Sequence, residues 1–249
     1  MFKRILNIGL IVLAGIFLVF TMAFSSGSLS KVKCDEITVV IPDDSPRFID
    51  EAEVTRLVKA ADPKLFERKL DQVNAHTLEL KLEKTPAIKN AEVFRHIEGD
   101  RMDFKGHLVV EVTQREPLFR VKDGQTDYYM DEAGVVIPAN PKFTSHVMLV
   151  TGQVDEKFAR KELIPLIEFI NGDDFWKAQI KQVAVNGSGE LLMVPLVGDQ
   201  IIEFGEATNY REKFRNLKAL YAQAFNEFGW DKYKKISLKY KDQVVCTKR

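Results

Sequence analysis

Apolar and polar positions along this chain follow three different rhythms. The first is no rhythm at all: Ile5 to Phe24 is an apolar run of twenty residues without a charge. At about 1.5 Å per helical residue it reaches about 30 Å, the thickness of a bilayer's hydrocarbon core. Lys3 and Arg4 precede it, and a basic flank tends to stay in the cytoplasm. The pattern predicts a four-residue cytoplasmic tail (1–4), a transmembrane helix (5–24), a polar linker (25–34) and an exported remainder. The competing reading is a cleaved signal peptide, with small residues around Ala23-Phe24-Ser25. Its apolar core would be longer than such signals carry. Either reading places the rest of the chain outside the cytoplasm.

The second rhythm covers residues 35–115. Ile37-Thr38-Val39-Val40-Ile41 is β-branched and stopped by Pro42, a strand signal. Asp50 with Glu53 has capping-box spacing, and Val54, Leu57 and Val58 form a helical stripe behind it. Leu78, Leu80 and Leu82 alternate as a strand would. Asn74 as N-cap, the intervening Glu and Lys residues, and Pro86 beyond the end favour a helix. Two strands follow, Ile88–Ile97 and Phe104–Thr113, with the turn beginning at Glu98-Gly99-Asp100.

The third rhythm, over 116–249, alternates short strands with helices. Leu118–Val121 is strand-like, and Tyr128–Met130 and Val135–Pro138 form a hairpin about Asp131–Gly134. Val147–Val150 is a strand. Phe158–Ile170 is a helix closed by Asn171-Gly172, with Phe175 and Trp176 on a short turn after it. Ile180–Val185 and Leu191–Val194 flank the turn Asn186–Gly189, and Ile201–Phe204 continues the meander. Asn209–Phe228 has the strongest helical period, with Thr208 as cap and Gly229 as stop. The last long strand is read over Tyr233–Tyr240. It puts Ile236, Leu238 and Tyr240 on one face and Lys235, Ser237, Lys239 and Lys241 on the other. Val244-Val245-Cys246 offers a further short β segment. The whole is an α+β chain: a transmembrane helix, a small β-α-α-β-β domain, then a mixed or antiparallel β domain with helices.

Chemistry subtracts more than it adds. Lys and Arg number 36 and Asp and Glu 36, so no basic footprint for nucleic acid exists. The two cysteines, Cys34 and Cys246, make neither a disulfide framework nor a zinc pattern. They can pair in an oxidising compartment or remain free, half-buried thiols. His76, His96, His107 and His146 have no metal-ligand spacing, and Gly187-Ser188-Gly189 is not a nucleophile elbow. Gly172-Asp173-Asp174 reads better as a helix stop and cap than as a cation site. No catalytic, cofactor or metal site is expected.

The order strand-helix-helix-strand-strand over 35–115 resembles a POTRA domain. The likeness is sharpest at Pro86-Ala87-Ile88-Lys89-Asn90-Ala91-Glu92-Val93, similar to that domain's helix-to-strand junction, and at the exit Thr113-Gln114-Arg115-Glu116-Pro117. Tyr129-Met130-Asp131-Glu132-Ala133-Gly134-Val135-Val136 and Ile236-Ser237-Leu238-Lys239-Tyr240 are similar to the β domain that follows POTRA in the FtsQ/DivIB family of bacterial cell-division proteins. The resemblance spans nearly the whole chain. It implies a non-catalytic division scaffold in the inner membrane at the septum, binding FtsB and FtsL and linking them to the septal peptidoglycan synthase. FtsB would add a strand to an open edge at the final strand. Lys239 and Tyr240 match the family's basic–tyrosine pair there. Lys235 and Lys241 would attract acidic partner residues, and Ser237 completes the set on the same strand. These lysines would equally serve to block edge-to-edge aggregation. Two features depart from the family: the cytoplasmic tail is short, and Thr247-Lys248-Arg249 stands where relatives can carry an aromatic. The alternative is a POTRA-containing exported protein for outer-membrane assembly or secretion; an exported enzyme or carbohydrate-binding module is a third class.

Overall fold

The computed structural model describes residues 9, 11–19, 32–100, 103–124, 126–225 and 232–249. The apolar run is helical over residues 11–19. The rest of the expected span, most of the linker, and Trp230 lie outside the described residues. Among the described residues no helix is long and apolar enough to cross a membrane. The chain divides into two compact units, Met1–Ser45 with Ile49–Gln114, and Pro46–Phe48 with Arg115–Arg249.

The first unit has the expected order: β1 (Cys34–Val40), α1 (Glu51–Ala61), α2 (Ala75–Leu82), β2 (Ile88–Asp100) and β3 (Asp103–Gln114). Its sheet runs β1-β3-β2, with β1 parallel and β2 antiparallel to β3. Both helix caps act as the sequence suggests. Asp50 Oδ1 accepts from Glu53 N at 2.8 Å and Asn74 Oδ1 from Thr77 N at 3.0 Å. The second cap settles the ambiguous leucines. Leu78 and Leu82, four apart, are buried on the core face, while Leu80 is 50% exposed.

Two 3-10 turns, Leu65–Glu67 and Leu70–Gln72, sit between the helices and send Leu65 and Leu70 into the core. Three residues are too few to leave a periodic signal. Strands β2 and β3 run further than predicted, so Glu98-Gly99-Asp100 belongs to strand β2 and not to the turn. The core joins Val54 and Val58 of α1 to Ile88, Leu108 and Val110 of the sheet, all fully buried. Each such side chain contributes about 1.5–3 kcal/mol. On the free side of β2, the Val93 N–H donates to Glu79 Oε1 at 2.9 Å and the Ala91 N–H to Glu83 Oε1 at 3.3 Å. Helix α2 therefore occupies backbone groups that a further strand would need.

In the second unit nine described strands form one sheet. They are β4 (Pro117–Lys122), β5 (Asp127–Asp131), β6 (Val136–Pro138), β7 (Met148–Gly152), β8 (Ile180–Val185), β9 (Leu191–Pro195), β10 (Ile201–Gly205), β11 (Tyr233–Ser237) and β12 (Val245–Lys248). Their spatial order is β12-β11-β10-β9-β8-β7-β4-β5-β6. The pairs β4–β7, β7–β8 and β10–β11 are parallel and the other neighbours antiparallel. A parallel neighbour needs a long crossover, and two of these crossovers are helical.

The first crossover joins β7 to β8. It contains α3 (Glu156–Phe158), a π segment (Ala159–Leu163), α4 (Ile164–Asn171) and α5 (Asp174–Gln179). Pro165 lacks the N–H that an unbroken α ladder would require, and the π turn lies just before it. Phe175 and Trp176, expected on a turn, belong to helix α5. Asp173 caps it by accepting from Phe175 N at 2.9 Å and Trp176 N at 3.2 Å. The second crossover, from β10 to β11, holds α6 (Tyr210–Leu220), extended by a π segment (Tyr221–Phe225). Asn209, with φ 52°, stands at its N-cap and makes no side-chain capping bond. The expected cap, Thr208, contacts Glu206 instead. The predicted helix end near Phe228 and Gly229 lies outside the described residues.

One hydrophobic cluster joins the inner sheet residues, among them Phe119, Val150, Met193, Ile202 and Ile236, to the crossover helices. At its centre Phe214 of α6 has ring centroids 4.8 Å from Trp176 and 5.3 Å from Phe204. At the turn after β5, buried Asp131 accepts from Arg115 Nη1 at 3.0 Å and from Val135 N at 2.7 Å.

Candidate functional site

The segment expected to form an open final strand divides into a strand and a loop. Strand β11 ends at Ser237 and is paired on both sides, with β10 in parallel and with β12 antiparallel. It is not an edge. The chain then passes through Leu238–Val244, reversing at Lys241-Asp242, where Asp242 takes φ 57°. Beyond that turn the short β signal at Val244–Cys246 becomes β12, which stands at one end of the sheet order. Among the described residues no strand lies on its other side.

This rearrangement separates the five candidate residues. Lys235 lies within β11 opposite Ile201 and Thr247, its Nζ 2.8 Å from Glu203 Oε1. Ser237 is buried on the same strand. Lys239, Tyr240 and Lys241 lie together on the loop. Tyr240 is 60% exposed, so it shares no core face with Ile236 and Leu238. Lys239 Nζ sits 2.7 Å from Glu190 Oε2 at the β8–β9 turn, which ties the loop to a second hairpin.

That ion pair forms part of the wall of a cavity of about 310 Å3 between the loop and the start of α6. Gly205, at φ 73°, backs it; a side chain there would press on the stem of Lys239. Lys213 reaches in from α6, donating to the carbonyls of Phe204 at 2.9 Å and Glu206 at 2.7 Å, with its ammonium 4.7 Å from the Phe204 ring centroid. Burial pulls the Lys213 ammonium below its ordinary range. Hydrogen bonding to Lys239, then to Asn186, holds the Glu190 carboxyl below the usual range, and the same contact raises Lys239. Glu206, Glu212 and Asp242 add carboxylates to the lining. Four carboxylates and three lysines line the cavity.

The edge beside it has a definite polarity. The Arg249 N–H donates to Lys232 O at 3.2 Å, facing β11. By strand alternation Thr247 and Val245 turn the same way, while Cys246 and Lys248 direct their N–H and C=O groups outward. Cys246 is half-buried and pairs in register with Ile236. Both it and Cys34 are free thiols, raised by burial. The candidate residues drawn from the sequence leave out β12, although its β segment is read there. That signal, Val244-Val245-Cys246, is short beside the longer alternation before it.

Comparison with protein-family models gives two matches. Residues 116–247 match the model described as FtsQ/DivIB, C-terminal related, and residues 32–100 match the POTRA-like domain. No curated protein matches the chain.

Proposed function

Since the chain belongs to the FtsQ/DivIB family, we propose that it is a bacterial cell-division scaffold without catalytic activity. In this reading the apolar segment Ile5–Phe24 anchors it in the inner membrane, with both units outside the cytoplasm at the septum. It captures the FtsB–FtsL subcomplex by β-strand addition and couples it to septal peptidoglycan synthesis.

The position of β12 carries the reading. A terminal strand with outward N–H and C=O groups at Cys246 and Lys248 offers main-chain hydrogen bonds to an incoming strand. The docking line is thereby β12, and the predicted residues acquire different roles. Tyr240 and Lys241, both exposed, flank the edge and are free to meet a partner side chain. Lys239 is already neutralised by Glu190, and Lys235 by Glu203. These two lysines hold the receptive end of the sheet in place.

The test is recovery of FtsB–FtsL on the full-length chain in detergent. Lys248→Pro removes an outward N–H without touching the bonds of Thr247 and Val245 to β11. Tyr240→Glu alters the exposed flank. Each is expected to lower recovery about tenfold, with the thermal midpoint within a few degrees of the parent; tenfold corresponds to about 1.4 kcal/mol. Undiminished recovery with both variants removes the proposed site.

A further inference from the structure

At the opposite side of β8 from the β9–β12 end of the sheet, strands β4, β7 and β8 run parallel and all begin at one rim, at Pro117, Met148 and Ile180. A groove of about 530 Å3 opens there, bounded by the end of α4 and by α5. Its floor is apolar. Met148 and Ile180 are buried beneath it, and half-buried Leu118, packed against the same core, also lines it.

The rim has one sign of charge. Lys177, Lys181 and His146 stand exposed around it, and among the described residues no acidic side chain lines the groove. The Lys181 ammonium donates to Lys177 O at 2.7 Å, across the last turn of α5. A carbonyl fixes the position of that ammonium without cancelling its charge. None of the three rim residues has an ion pair among the described residues. This is unlike Lys235 and Lys239 at the other end of the sheet, which carry a carboxylate each.

From this we propose that the groove is a second docking site, taking an acidic peptide segment of a partner protein that carries an apolar side chain. The apolar residue seats on Leu118, Met148 and Ile180. Its flanking carboxylates meet Lys177 and Lys181. Charge complementarity selects the acid, and the concave apolar floor selects a peptide over a free anion. The site is independent of strand addition at β12, because it uses neither that edge nor the loop Leu238–Val244.

The test pans the full-length chain in detergent against a displayed library of random dodecapeptides. The expected result is enrichment of sequences with Asp or Glu on both sides of Leu, Ile or Phe. Their recovery should fall roughly tenfold on Lys177→Glu/Lys181→Glu, since two reversed exposed pairs each shift binding by a modest factor. Leu118→Ser, which keeps both charges, should lower it as well. Lys248→Pro should leave it unchanged, which separates this site from the β12 edge. Thermal midpoints equal to the parent's show that the variants are folded. Absence of enrichment, enrichment of peptides lacking acids, or equal recovery on the charge-reversed chain overturns the proposal. So does charge-dependent capture of phosphatidylglycerol vesicles that survives Leu118→Ser, which would identify an anionic lipid surface instead.

Discussion

Lys239 Nζ stands 2.7 Å from Glu190 Oε2, joining the loop after β11 to the β8–β9 turn across 49 residues of sequence. The contact lowers the Glu190 carboxyl from its ordinary 4.5 and raises Lys239. A carboxyl depressed in the folded state contributes stability above its unfolded pKa, and the contribution disappears as pH falls through the folded value. Lys239→Met is expected to return the Glu190 titration upward toward its ordinary range, although Asn186 Nδ2 at 3.2 Å still holds part of the shift. Carboxyl chemical shifts followed through acid pH report this directly. A Glu190 titration identical in parent and variant would contradict the contact.

The aromatic centre of the second unit depends on Trp176, which is 2% exposed and packs against Phe214 on α6. Trp176→Ala is expected to cost roughly 3–5 kcal/mol, through lost burial and the cavity left behind. Urea unfolding followed by circular dichroism measures it. A loss below about 1 kcal/mol would mean that α5 is not seated in the core as described.

Asp131 resists substitution for another reason. It is 5% exposed and receives the Arg115 guanidinium and the Val135 N–H. Asp131→Ala leaves a mostly buried guanidinium without its carboxylate and should cost about 3–5 kcal/mol. Asp131→Asn keeps the shape and an acceptor oxygen, so the loss is expected to be smaller. Equal losses in the two variants would show that the carboxylate's charge, and not its shape or acceptor oxygen, governs the turn.

Tyr221 gives an alkaline signature. Burial pushes its phenol from 10.0 up to about 12. An unfolded tyrosine loses its proton near pH 10 while the folded one keeps it, so the stability contribution is complete below pH 10 and declines as pH rises toward 12. Tyr221→Phe should flatten that decline in unfolding midpoints measured from pH 9 to 11.5. The same slope in both proteins would assign the alkaline loss to other groups.

The sequence made most of the elements legible because their chemistry is local. Asp50 with Glu53, and Asn74 before three leucines, fix two helices from the residues beside them. The β5–β6 hairpin follows from Asp131–Gly134, where Gly134 adopts φ 76°. The Leu65 and Leu70 turns escaped notice because their only evident reason is burial against residues distant in sequence.

The site was only half legible. Ile236, Leu238 and Tyr240 alternate as one strand face would. The alternation fails physically at Ser237, where pairing with Val245 and Glu203 ends. The positive φ at Asp242 then turns the chain back. No local signal says that a four-residue strand beyond that turn will cover its predecessor. Likewise Lys235 and Lys239 read as free cations until Glu203 and Glu190, 32 and 49 residues away, are brought to them.

Because β12 is so short and holds β11 by one flank alone, shearing it away would not seal the sheet. A cut in the Lys241-Asp242 reversal would uncover β11, exchanging a margin that presents Cys246 and Lys248 for one built around Lys235 and Ser237. A nicked molecule would then be altered in what it recognises, and no longer merely weakened.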